Sequence, residues 1–469
     1  MARNYRFQPM DKVVNLSVHI FLVGQQVGVE ATSKDRDVDD ASQAESAVMG
    51  LNPSVAIARS QSAVTGQQET LPEAVLSNCF GGKSTYDRNI SGTMAPSLLH
   101  PAKKPEALNA PPGASCKVHI IDGTARVTAP TDLFMTPPIH GHTQMTVPAV
   151  SFLVEQVSSG RKILFDLGLR KDWQSHPPAV QSLISGPGWA FHIPKNVNEV
   201  LEENGVDVKG GAIEAVVWSH WHFDHTGDVS QFPPSTALIT GPGVREAFFP
   251  TYPENEKSPL LSSDFANRDH IELDFDGRSR FRIGGLRAID HFGDGSFYLL
   301  DAPGHAIGHT CGLARVTSTR EGDPEDTFIF MGGDTAHHGG EFRPTEYLPL
   351  PAEISPSPHV SKYASVCPGH LFEAIHPRKK GVDPYYDLST HVAHDLQEAK
   401  RSVERMQVFD ATDNVLVIIA HDPTVLDKAS GLEWFPHGTV KNWKAANAAE
   451  NVRWMFLRDF VAAVENVAA

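Results

Sequence analysis

Apolar and polar residues alternate unevenly along this chain of 469 residues, and the places where the pattern becomes regular mark its elements. From Thr32 to about Pro112 neither a period of 2 nor one of 3.6 is sustained, and Ser, Gln, Asp, Ala and Pro dominate. Residues 1–112 therefore read as a largely disordered leader and residues 113–469 as the folded domain. Order is expected to begin at Cys116–Ile121, a short β-branched run closed by Asp122-Gly123. The runs Ala149–Val154 and Lys162–Phe165, separated by the Ser158-Ser159-Gly160 turn, predict a β-hairpin.

Further along, a helix is expected around Asn196–Asn204, and strands at Ile213–Val217, Phe297–Leu300, Gly312–Val316 and Phe328–Phe330. From Ser389 to about Gln407 the spacing turns helical, with Val392, Leu396, Ala399, Val403 and Met406 on one face. A buried strand at Val415–Ala420 and a closing amphipathic helix over Ala446–Glu465 complete the set. Hairpin-rich runs with helices interleaved predict an α+β fold: two mixed sheets packed together and flanked by helices.

Composition narrows what such a domain does. With 41% apolar residues the chain can fill a proper core. A net charge of −16 argues against the basic face that a nucleic acid requires, and the Lys103-Lys104 and Lys379-Lys380 pairs are too short to supply one. Cys79, Cys116, Cys311 and Cys367 form no CxxC pair, which points away from a disulfide framework and towards a reducing, cytoplasmic setting. No apolar run reaches the roughly 20 residues of a membrane span. Val13–Ala31, behind Arg3, Arg6 and Lys12, has the outline of a signal peptide interrupted by Asn15, His19, Gln25 and Gln26, so secretion is the alternative location.

The chemistry is concentrated in "WSHWHFDHTGD" (218–228), directly after the apolar run Ile213–Val217. In His220-x-His222-x-Asp224-His225 the first two histidines project to one side of an extended segment and can grip a single ion. Asp224 and His225 follow where the chain leaves the strand, and can face a second ion. One loop cannot supply a whole coordination shell, so partners are expected at other strand ends. His305 in "DAPGHAIGHTCG", Asp334 in "FMGGDTAHH" and His421 in "VIIAHDP" each stand just past a buried apolar run. His309 and Cys311 read as structural, and one of His337 and His338 as able to reach substrate.

On these motifs, with Asp166 in "FDLG", the chain resembles the metallo-β-lactamase fold superfamily of dinuclear hydrolases; they come in the family's order over about 166–422. The resemblance implies an αββα sandwich and two zinc ions. His220, His222 and His305 would bind the first, Asp224, His225 and His421 the second, with Asp334 bridging both and Asp166 orienting a ligand from behind. It further implies that a hydroxide held between the metals attacks a carbonyl, with Asp334 setting its position and Asp224 passing a proton to the leaving atom. No G-x-S-x-G elbow offers a serine nucleophile instead.

Within the superfamily the whole pattern is most similar to the quorum-quenching N-acyl homoserine lactonase-like branch. Those lactonases usually carry a Tyr three residues after the bridging Asp, whereas here Asp334 is followed by Thr335-Ala336-His337. Either His337 makes the equivalent contact as a catalytic residue, or the substrate differs from an acyl homoserine lactone. The connection Glu341–Pro384, with Phe342, Tyr347, Tyr363 and Phe372 and leading into Tyr385, is either a pocket wall or an insertion with its own small core. Phe134, Met135, Ile139, His140 and His142 occupy the stretch that would form one rim of the mouth. The expected activity is zinc-dependent opening of a cyclic ester or cyclic amide, acting on a small molecule with an ester, lactone or lactam carbonyl. An acyl thioesterase is its nearest alternative, and a mono-iron sulfur oxygenase and a non-catalytic binding module are more distant ones.

Overall fold

The computed structural model describes residues 98–468; the readings of the leader up to residue 97, Cys79 and the signal-like run among them, lie outside the described residues. Six strands form a first sheet whose spatial order is also the chain order: β1 (Cys116–Ile121), β2 (Ser151–Gln156), β3 (Lys162–Phe165), β4 (Ala215–Val217), β5 (Ala237–Thr240) and β6 (His270–Glu272). β1, β2 and β3 pair antiparallel, the last two as the expected hairpin with Phe152 opposite Phe165, and from β3 onward the pairs are parallel. The second sheet is equally sequential: β7 (Phe281–Ile283), β8 (Leu286–Asp290), β9 (Phe297–Asp301), β10 (Thr310–Thr317), β11 (Thr327–Met331) and β12 (Val415–Ile418). Only its last pair, β11 with β12, is parallel.

Alternation along these strands decides the layering. Ile163 and Phe165 of β3, Ala215 and Val217 of β4, Phe297 and Leu299 of β9 and Ile329 and Met331 of β11 share one core between the two sheets. Their neighbours point the other way. Leu164 and Val216 pack outward against Val197, Val200 and Leu201 of helix α1 (Val197–Glu203). A one-turn helix, α2 (Phe223–Thr226), follows β4. Tyr298, Leu300, Phe328 and Phe330 pack outward against Ala399, Val403, Met406 and Phe409 of α3 (Leu396–Asp410). Helix, sheet, sheet, helix is the αββα order, and each Val, Leu, Ile or Phe so buried contributes about 1.5–3 kcal/mol.

Three expectations shift, and one open alternative is decided. Residues 98–112, read as leader, lie along the domain: the Leu99 N–H bonds the Leu350 carbonyl (3.1 Å), the Gly284 N–H bonds the Leu108 carbonyl (2.8 Å), and Leu108 is buried. An extended segment anchored by single residues has no period to detect. The helix expected from Ser389 begins only at Leu396, because the Asp395 carboxylate accepts the Gln397 and Glu398 N–H groups (2.9 and 3.1 Å) and caps it there. The closing helix is broken into α4 (Ala448–Arg453), a 3-10 stretch over Met455–Phe460, and α5 (Val461–Ala468). Arg343 Nη1 takes the Arg453 carbonyl (2.8 Å), which ends the first piece. Finally, Glu341–Pro384 supplies a second core: Leu350, Ile354, Cys367 and Phe372, with Tyr385 and Tyr386 beyond it, bury against Met135, Ile139 and Phe460.

Candidate metal centre

Every ligand candidate stands where a strand ends. β4 runs into Trp218-Ser219-His220, and α2 brings Asp224 and His225 round to the same side. β9 leads to His305 through Pro303-Gly304, β11 to Asp334 through Gly332-Gly333, and β12 to His421. Two of these glycines are obligatory. Gly304 has φ +122°, and a Cβ there would lie 1.9 Å from the backbone nitrogen of Ala399; at Gly333, φ +49°, it would meet His309 Nε2 and the Ser219 side chain at 3.0 Å.

The side chains converge as two groups that share one carboxylate. His220, His222, His305 and Asp334 form the first, and Asp224, His225, Asp334 and His421 the second, each offering ligand atoms within 4.8 Å of one another. In the first, His305 Nε2 lies 3.2 Å from His220 Nε2 and 3.0 Å from His222 Nδ1. In the second, His225 Nε2 and His421 Nε2 each stand 3.1 Å from Asp334 Oδ1, and His421 Nε2 is 3.4 Å from Asp224 Oδ2.

Groups behind the ligands fix which nitrogen faces inward. Asp166, held at φ +61°, accepts the Ser219 N–H on Oδ1 (2.6 Å) and the His225 Nδ1–H on Oδ2 (2.9 Å). His421 Nδ1 donates to the Pro148 carbonyl (2.8 Å). Both rings therefore turn an Nε2 lone pair towards carboxylate oxygens, an arrangement that is repulsive unless a positive charge lies between them. His225 Nε2 and Asp334 Oδ1 are buried with no hydrogen-bond partner. A cation held by this set satisfies both, and imidazole with carboxylate is a donor set suited to zinc.

Titration follows the same division. Burial, and then the neighbouring imidazoles, hold His220 and His305 well below the ordinary histidine range, and burial lowers His222 to about 4. These three imidazoles are neutral, and each has a lone pair that could serve a cation. Burial opposes charge at His421 and His225 as well, but Asp334 beside them prevails, raising His421 to about 9 and His225 well above its usual value. In the protein alone, protons at these rings balance Asp334, the role a bound cation takes over.

All seven expected ligands are brought together, with Asp166 behind them. His309 is structural, as read from the sequence: its Nδ1 donates to the Ala302 carbonyl (2.9 Å) and its Nε2 accepts the Asp334 N–H (3.1 Å). Cys311 is buried against Thr335. His337 faces the centre, with Nε2 3.5 Å from Asp334 Oδ2 and the Phe134 ring 5.0 Å away. His338 turns away: its Nδ1 accepts the Gly340 N–H and its Nε2 meets Asp459 (3.2 Å), so the third cluster of His142, His338 and Asp459 is closed by hydrogen bonds of its own. Ser219, with Oγ 3.1 Å from His220 Nδ1, and Glu341, beneath His337, escape sequence reading. Nothing in their local pattern marks them, because their partners come from the backbone or from a single neighbouring ring.

An αββα sandwich with two His/Asp groups joined by one carboxylate at its strand ends defines a class of metallo-hydrolase folds. The chain belongs to the metallo-beta-lactamase superfamily, whose family model matches residues 144–413. It is 39% identical over 359 residues to a protein named gamma-lactamase FDB1 from Fusarium pseudograminearum, covering 75% of this chain and 84% of that one. It is also 39% identical over 371 residues to the metallo-hydrolase mfmC of Annulohypoxylon moriforme, covering 78% of this chain and 93% of the relative. Among solved structures, a quorum-quenching N-acyl homoserine lactone lactonase aligns with 70% of this chain and 99% of its own, at 14% identity and a TM-score of 0.42. No helix among the described residues is long and apolar enough to cross a membrane.

Proposed function

We propose that this chain is a dizinc hydrolase that opens a cyclic amide or a cyclic ester, with γ-lactams as the leading substrate class. The observation that carries the reading is the pair of buried ligand groups sharing Asp334, with inward lone pairs fixed from behind by Asp166 and Pro148. His220, His222 and His305 would hold one ion and Asp224, His225 and His421 the other. When bound, two zinc ions lower the pKa of water towards about 7 and polarise a carbonyl.

The chain's own residues do the rest. His309 fixes the backbone of Asp334, so the shared carboxylate keeps its place between the two groups. Asp224 is the more open of the two site carboxylates, with its side chain 13% exposed against 4% for Asp334, and it stands beside His421 where it can hold a proton for the leaving atom. His337 turns its Nε2 towards Asp334, 3.5 Å from Oδ2. Cys311 does not compete as a covalent nucleophile, since burial pushes its thiol up to about 12. The choice of a lactam is supported by the name of the Fusarium relative and by a histidine standing where lactonases carry a tyrosine.

Metal analysis together with a panel of γ-lactams, γ-lactones and acyl thioesters tests the proposal. About two zinc ions per chain and turnover of ring substrates are expected. Turnover confined to thioesters would replace it with the acyl thioesterase reading, and near one iron with oxygen uptake would replace it with an oxygenase.

A further inference from the structure

Both ring nitrogens of His337 are buried without a hydrogen-bond partner, although the residue is only 1% exposed. The ring lies between two carboxylates. Nε2 is 3.5 Å from Asp334 Oδ2 and Nδ1 is 3.6 Å from Glu341 Oε2, one small ring rotation short of a bond.

The two carboxylates are not equivalent. Asp334 is already approached by His225 and His421, each at 3.1 Å. The Glu341 side chain is fully buried; its Oε2 accepts the N–H groups of His337 and His338, its Oε1 has no partner, and among the described residues no Lys or Arg pairs with it. A neutral imidazole has one N–H to give, and Glu341 is the acceptor that no other side chain claims. That leaves the Nε2 lone pair facing the reaction centre.

We propose that Glu341 positions His337 as a hydrogen-bond acceptor, and that through this pair the site selects cyclic amides carrying an N–H over cyclic esters. The inference rests on the ring-opening reading above. A secondary lactam presents its N–H beside the carbonyl, within reach of an acceptor placed next to the shared carboxylate. A lactone of the same ring presents an oxygen there, lone pair against lone pair. Sites built to pair with a substrate N–H discriminate strongly, because the mismatched analogue leaves a buried polar atom unpaired.

The test uses the zinc-loaded full chain, a γ-lactam with a free N–H, its N-methyl derivative and the γ-lactone of the same ring. Nitrogen-15 NMR of the His337 imidazole, assigned by its disappearance in His337→Phe, reports the tautomer without reference to turnover. The expected result is a proton on Nδ1 in the wild type. His337→Phe and Glu341→Leu should lower kcat/KM for the N–H lactam at least about tenfold more than for the lactone and the N-methyl lactam, each measured against its own wild-type value, with zinc content unchanged. His337 protonated on Nε2, or equal losses on all three rings in His337→Phe, overturns the proposal even if Glu341→Leu fails to fold. Absence of turnover on every ring overturns the ring-opening reading and the selectivity with it, while the tautomer still decides whether Glu341 positions His337.

Discussion

Asp166 touches two things at once, the Ser219 N–H and His225 Nδ1, and so couples the backbone of one ligand loop to the orientation of a ligand ring. Asp166→Asn keeps the first contact but presents an amide N–H₂ to Nδ1, driving the His225 proton to Nε2, where a cation has to bind. Zinc affinity of the second group should fall by about 10–100-fold with the fold intact, as measured by chelator competition. Unchanged affinity would remove Asp166 from the site's machinery. Asp264 gives a second prediction. Burial raises its carboxyl to about 7, against the pull of Arg170 and Arg268. In the unfolded chain it loses its proton near the ordinary value of about 3.9. Between about pH 4 and 7 the folded state thus binds the extra proton, and its stability falls as pH rises through that window. Asp264→Asn should abolish this loss, so that the stability of the variant relative to wild type increases from pH 4 to pH 8 by a few kcal/mol, on the order expected for a carboxyl moved from about 3.9 to about 7. Urea unfolding at the two pH values cancels any constant cost of the amide. A pH-independent difference would contradict it. At this scale the candidate ligands were legible because His and Asp crowd in few other contexts, whereas Pro148 acts through its carbonyl, and Ser219 and Glu341 each meet one ring or a backbone N–H, contacts that leave no pattern in sequence.

Strands and helices matter here for where they stop. β4, β9, β11 and β12 end within a few residues of a ligand, and parallel pairing of β3 with β4 and of β11 with β12 sends those ends to one side. The loop before α3 supports them from outside: the His394 N–H bonds the His305 carbonyl (2.9 Å) and the Asp395 N–H bonds the Gly304 carbonyl (2.8 Å). These contacts are why the helix does not start at Ser389. Val392 fits the helical spacing, but the backbone before Asp395 is spent on the His305 loop rather than on a helix ladder. Gly304→Ala places a methyl group against the Ala399 backbone and should displace His305. Loss of about one zinc per chain, and at least about a hundredfold in kcat/KM for a ring substrate, is expected, since a misplacement of about 1 Å has that effect on a reaction. Wild-type metal content in this variant would show that the loop has slack. The closing helix is broken for a related reason, because Arg343 donates to its Arg453 carbonyl from 110 residues away in sequence.

For the molecule as a whole, the two ligand groups tie the sheets together. His220, His222, Asp224 and His225 follow the first sheet, and His305, Asp334 and His421 the second. Ions held between them, as proposed, would act as a clamp across the sandwich, so chelation should lower thermal stability reversibly. About 2.7–4 kcal/mol of stabilisation is expected at 100–1,000 times the dissociation constant. Calorimetry with and without chelator measures it, and no change in transition temperature would mean that the ions add nothing to the fold. The sequence alone determined two packed sheets flanked by helices, because short apolar runs in hairpins with helical spacing between them allow few other packings, and it marked the seven His and Asp candidates, because their residue types at strand ends are local facts; the αββα order and the grouping of the candidates came with the family resemblance. Tertiary structure alone decided that residues 98–112 lie on the domain, that Glu341–Pro384 carries a second core, and that His337 faces inward while His338 faces Asp459. Each of those outcomes depends on which distant residue supplies the partner for a hydrogen bond or an apolar face, and no pattern along the chain encodes that.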